Sequence, residues 1–171
     1  MNDVKTSEKT LFAVSENGVE VFWDPQTSHA STHFQDAPSL KEAVKEAISN
    51  LVVEGTGIQI DVDMGRMVGV SSLVETNEGD EIVYALRPLR TLYSRFVKNR
   101  EPEPTSWVSI NIQRDKEGQY NLYTAYIGRL TPSFPGGDYL PEQSKEFWSK
   151  HALAWGAQEV IPESVNSECP W

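Results

Sequence analysis

The segment Thr105–Gly128, TSWVSINIQRDKEGQYNLYTAYIG, constrains the fold of this chain more than any other stretch. Val108, Ile110 and Ile112 alternate with Trp107, Ser109, Asn111 and Gln113, and a polar, Gly-bearing connection, Arg114–Gln119, follows. Tyr120, Leu122, Thr124 and Tyr126 then repeat the two-residue period. Alternation on both sides of a turn signal predicts a β-hairpin. Strand side chains alternate between faces, so Leu122, Thr124 and Tyr126 are expected on one side of the sheet.

Other elements arrange themselves around this hairpin. Leu11–Val14 and Val19–Trp23 flank Ser15-Glu16-Asn17-Gly18, whose Asn-Gly pair favours a tight turn. Asp24-Pro25 ends the second run, because proline cannot continue a ladder. Gln26–Pro38, QTSHASTHFQDAP, reads as a polar loop holding His29 and His33. A helix is expected from Ser39, with Glu42 completing a capping box. Its apolar stripe is Leu40, Ala43, Val44, Ala47, Ile48 and Leu51. Ile58, Ile60 and Val62 form a half-buried strand, and Ile82–Leu86 another. Leu89, Leu92, Tyr93 and Phe96 fit a helical turn as well as a loop. Glu142–Trp155 predicts a second helix, stopped by Gly156. Consecutive strands bracketed by these helices predict an α+β fold: an antiparallel sheet packed with a main helix in the N-terminal half and a C-terminal helix. At 171 residues a single domain over 1–171 is expected, with 1–9 and about 158–171 as loosely ordered tails.

Cys169 is the single cysteine, so an intrachain disulfide and a cysteine-built metal site are both excluded. The first twenty residues lack a basic segment leading into an apolar run, and no stretch is apolar enough to span a bilayer. The expected setting is cytoplasmic, with no membrane partner. The net charge of −10 opposes non-specific binding to phosphate. Its distribution is uneven: Ile82–Arg100 contains no acid but holds Arg87, Arg90, Arg95, Lys98 and Arg100.

No metal or cofactor is expected. The three histidines and one cysteine show no metal-binding spacing, and no Gly-rich phosphate loop or serine elbow is present. Metal-free acid–base chemistry on a phosphodiester remains open to this chain. It needs a proton acceptor and a proton donor, with cationic or hydrogen-bonding groups around the phosphorus. His33 or His29 can supply the imidazole. Arg95 can clamp phosphate, and Thr124 with Tyr126 can donate to its oxygens.

Three stretches carry a resemblance. Ala30-Ser31-Thr32-His33-Phe34-Gln35-Asp36, followed by Leu40-Lys41-Glu42-Ala43-Val44 and Ala47, is the first. IQIDVDMGRMVG, Ile58–Gly69, is the second, and QYNLYTAY, Gln119–Tyr126, is the third. Together, over about Ser28–Gly128, they resemble bacterial ribonuclease-A-like domains of contact-dependent and polymorphic toxins. The resemblance implies a compact ribonuclease fold in which Thr124 and Tyr126 line the active site. It departs at the family's upstream catalytic histidine, where this chain has Val21, Phe22 and Trp23, so His29 or His33 would substitute.

The expected function is a small metal-independent endoribonuclease of toxin type, with RNA as partner. The rival expectation is a non-catalytic acidic binding protein, such as an immunity protein or antitoxin covering a toxin, or an inactive relative of the nuclease fold.

Overall fold

The computed structural model describes residues 9–156 and 158–171. In chain order the elements are β1 (Thr10–Val14), β2 (Glu20–Trp23), α1 (His29–Asp36), α2 (Pro38–Ser49), β3 (Gly57–Asp63), β4 (Gly69–Ser71) and β5 (Leu73–Glu75). Then come β6 (Ile82–Ala85), β7 (Ser94–Val97), β8 (Glu103–Thr105), β9 (Trp107–Arg114), β10 (Tyr120–Ile127), α3 (Glu142–Lys150) and β11 (His151–Ala154). The fold is α+β. The chain divides into two compact units, where the sequence suggested one domain: residues up to Gly69 with Thr105–Leu130, and Val70–Pro104 with Thr131–Trp171. The short strands β4 and β8, which span the first two of the three points where the chain passes from one unit to the other, pair with each other.

The first unit is built on a five-stranded sheet in the order β1-β2-β10-β9-β3. β9 is its spine, pairing antiparallel with both β10 and β3. Val108, Ile110 and Ile112 are fully buried beneath the helices, in one core with Val44, Ile48 and Phe34. Of the stripe expected on α2, Leu40, Ala43, Val44, Ala47 and Ile48 are buried, whereas Leu51 lies past the helix end and is half-buried. The capping box does not form. The helix starts at Pro38 with Ala37 at its N-cap and no side-chain cap bond, because a proline at the first helical position already fixes the required φ. At the first hairpin tip Asn17 exchanges hydrogen bonds with the Val53 backbone, at 2.9 and 3.1 Å, and ties the turn to the chain leaving α2.

Two local features redirect the central hairpin. The β9–β10 register shifts between Leu122 and Thr124, so Tyr123 is a bulge. Leu122 and Ala125 therefore both reach the core, whereas Thr124 and Tyr126 oppose Asn111 and Ser109 on the other face. Thr124 and Tyr126 do share a side, as expected, but Leu122 is not with them. The second feature is the helix over His29–Asp36, where a loop was expected. Ser28 caps it, accepting from the Ala30 N–H, and Ala30 and Phe34 bury its inner side. Its Ser, Thr and Gln residues suggested loop, but the buried i, i+4 pair holds them in a helix.

The second unit holds a four-stranded sheet in the order β5-β11-β7-β6. The ambiguous stretch after Pro88 resolves into β7, with Ser94, Phe96 and Val97 buried. The final helix stops at Lys150, earlier than expected, because His151–Ala154 enters the sheet between β5 and β7. Ladder pairing on both sides outweighs the helical spacing of Trp148, His151 and Trp155. The C-terminal residues are not a loose tail. Asn166 exchanges backbone hydrogen bonds with Tyr84 at 2.7 and 2.8 Å, and Trp171 packs edge-on against Tyr84 at 5.2 Å. Of the N-terminal stretch expected to be loose, residues 1–8 lie outside the described residues.

Ser28 and Ser39 should behave oppositely on truncation. Ser28→Ala removes a cap bond and the bond to Leu122 O, and is expected to cost the first unit about 1–2 kcal/mol. Ser39→Ala should be nearly neutral. Urea denaturation followed through the NMR signals of β9 and β10 checks both.

Candidate functional site

β10 is paired on both sides only at its start. β2 meets it at Tyr120 and Asn121, in parallel, and then turns away at Asp24. Beyond that point the edge of β10 would be open, and α1 runs alongside it. The Ser28 hydroxyl donates to the Leu122 carbonyl at 3.1 Å, fastening the helix start to the strand edge. A helix over a strand edge shields its unpaired backbone groups.

This placement aligns two histidines with two tyrosines. His29 and His33 are four apart, so they lie on one flank of α1. The His29 ring stacks on Tyr123 with centroids 5.0 Å apart. The His33 ring stands 5.9 Å from that of Tyr126. Both imidazoles are exposed, so both can exchange protons with a ligand or with solvent.

Tyr126 is half-buried, and that burial pushes its phenol pKa up, with the nearby Asp61 charge adding to the effect and Ser109 opposing it. The phenol is therefore a neutral O–H donor at ordinary pH. Ser109 is fully buried and accepts from Gln59 Nε2 at 3.0 Å; Asn111 in turn donates to Gln59 at 2.7 Å. Asp61 accepts from the Leu130 N–H at 3.0 Å. Thr124 borders this polar face opposite Asn111.

One end of the seam opens into a cleft of about 360 Å³ bounded by Trp23, Ser28, His29, Arg114, Asp115 and Asn121, among others. Asp115 organises it. Its carboxylate accepts from Asn121 Nδ2 at 3.0 Å, from the Gln119 and Glu117 N–H groups at 2.9 and 3.0 Å, and from Lys9 at 3.3 Å. These bonds, that of Asn121 foremost, hold its pKa at about 2. The Asn121 amide also donates to Gln119 O at 3.2 Å, which fixes its orientation and leaves Oδ1 buried without a donor among the described residues. Arg114 lies 6.0 Å from the Tyr120 ring centroid and takes part in no ion pair among the described residues.

Of the five residues singled out from the sequence, the structure places His29, His33, Thr124 and Tyr126 in the first unit, the histidines along the strand that carries the hydroxyls. Arg95 belongs to the second unit. Its guanidinium donates to Thr76 Oγ1 at 3.2 Å and His151 O at 2.8 Å, so it serves the β5–β11–β7 region. Arg114, Asp115 and Asn121 escaped sequence reasoning because a polar hairpin connection reads as mere turn. Among the described residues no three His, Cys, Asp or Glu side chains converge as a metal-binding group, and no helix is long and apolar enough to cross a membrane. No known family model, curated protein or solved structure matches this chain.

The Asp115 anchor makes a pH prediction. Its folded pKa lies below the ordinary 3.8, so its stabilisation is complete above that value and fades as pH falls through about 2. A carboxyl-detected NMR titration should show Asp115 ionised when the other carboxylates have protonated. Asn121→Ala should move its midpoint upward.

Proposed function

We propose that the first unit is a metal-independent ribonuclease acting through the histidine pair of α1. The observation that carries this reading is the alignment of His29 on Tyr123 and His33 on Tyr126, the first pair lining the cleft. One imidazole removes the proton of an RNA 2′-hydroxyl, and the freed oxygen attacks the adjacent phosphorus. The bond from phosphorus to the 5′-oxygen breaks, and the other imidazole, protonated, gives its proton to that leaving oxygen. The products are a 2′,3′-cyclic phosphate and a 5′-hydroxyl, and the imidazoles have exchanged protonation states. Two titrating groups used in opposite forms produce a bell-shaped pH profile.

The other groups of the site suit the charge that develops on phosphorus. Tyr126, held neutral by burial, can donate to a phosphate oxygen, and Thr124 offers a second hydroxyl. Arg114, opposite Tyr120 at the cleft end of β10 and in no ion pair among the described residues, can hold a neighbouring phosphate of the bound strand, in place of the Arg95 that the sequence suggested. Tyr123, exposed at the cleft, supplies aromatic surface for a base, the usual way of holding single-stranded RNA. The resemblance to ribonuclease-A-like toxin domains over about Ser28–Gly128 points the same way.

The rival reading, an acidic protein that covers a basic partner, is favoured by the net charge of −10. Cleavage of a single-stranded RNA in the presence of chelator separates the two. The ribonuclease reading expects cleavage, with His29→Ala and His33→Ala each lowering the rate about 10²–10⁴-fold. Tyr126→Phe should lower it less, about tenfold, with unchanged pH dependence. Wild-type protein that leaves the RNA intact, or full activity in both histidine variants, would refute it.

A further inference from the structure

The loop joining β6 to β7 carries charge that the histidine site does not use. Arg87, Arg90 and Thr91 face Thr131, Ser133 and Phe134 around a second cleft of about 430 Å³, wholly within the second unit. Arg87 is half-buried. Its Nε donates to Ser94 Oγ at 2.9 Å, and its Nη1 donates to Gln158 Oε1. Its guanidinium lies 5.8 Å from the Phe134 ring centroid, and that ring stacks on Trp148 at 3.8 Å. The cation is thus held in place by neutral groups.

Among the described residues neither Arg87 nor Arg90 takes part in an ion pair. Burial, followed by the neighbouring Arg90 charge, lowers the Arg87 pKa from its ordinary value. Arg100, from the same acid-free stretch, is by contrast paired with Asp80 at 3.2 Å and with Glu103. That arginine is neutralised, whereas the two at the cleft have no anionic partner among the described residues. Between them Leu89 has φ 62° with its side chain fully exposed. A leucine in the left-handed region is strained, and such strain persists where the surroundings enforce it, often at ligand sites.

The geometry points to a binding site for a small phosphomonoester. A guanidinium fork matches two phosphate oxygens, and the hydroxyls of Thr91, Thr131 and Ser133 can donate to the remainder. Two cations balance a phosphate dianion better than a single carboxylate. The cleft has the volume of a small-molecule site, and Leu92 and Pro132 give it an apolar border for a compact organic group.

Isothermal titration of the full chain with inorganic phosphate and with phenyl phosphate, at constant ionic strength and against sodium chloride, tests this. Saturable one-to-one binding of phenyl phosphate is expected. Arg87→Gln and Arg90→Gln should each weaken it at least tenfold, and Lys150→Gln should leave it unchanged. Arg90 is exposed, so its variant remains informative if Arg87→Gln fails to fold. A response that does not saturate, or that chloride reproduces, would overturn the site. So would undiminished binding in Arg90→Gln, binding of inorganic phosphate alone, or binding confined to an RNA oligonucleotide.

Discussion

The first unit is governed by one requirement: the edge of β10 left open where β2 turns away must be covered. Beyond Asn121 the strand has lost its outer partner, and a bare edge would invite pairing with another chain. The chain meets this by folding His29–Asp36 as a helix against the edge and fixing its start with the hydroxyl of the N-cap Ser28 on Leu122 O. The inner side of that helix supplies Ala30 and Phe34 to the core. Its flank is then obliged to lie along β10, and His29 and His33 occupy that flank. The proposed chemistry is a by-product of edge protection. Sequence needed only to place titrating residues at two positions that the fold had already aligned.

The bulge at Tyr123 completes the arrangement. An unbroken strand would set Leu122, Thr124 and Tyr126 on one side, and the core would then receive either two hydroxyl-bearing residues or none of the three. The register shift sends Leu122 and Ala125 inward and leaves Tyr123, Thr124 and Tyr126 available to the helix flank and the polar face. Asp115 plays a corresponding part at the hairpin tip. The Asn121 amide and backbone N–H groups hold it ionised, so the turn is shaped by a fixed charge, and Arg114 beside it takes part in no ion pair among the described residues.

Much of this was legible in the sequence. The central hairpin, the Asn-Gly hairpin, the stripe of α2 and the α+β class all followed from periodicity and turn chemistry, because each depends on local residue order. What was hidden depends on long-range pairing. His29–Asp36 reads as loop until the core contacts of Ala30 and Phe34 are known. His151–Ala154 reads as helix until β5 and β7 are seen on either side. A bulge leaves no mark in the alternation of Tyr120–Tyr126, so Leu122 was assigned to the wrong face. At the site, the residue types were legible and their company was not: His33 and Tyr126 are 93 positions apart in sequence yet neighbours in space, whereas Arg95 has its partners in the second unit.

The central claim is that the aligned imidazoles cleave RNA by internal attack of the 2′-hydroxyl. Phosphorus NMR of a short RNA incubated with the protein in excess chelator tests it most directly. The account predicts that the 2′,3′-cyclic phosphate resonance grows in as the internal phosphodiester signal falls. Absence of cleavage, or an initial product bearing a 5′-phosphate and a 3′-hydroxyl, would contradict it.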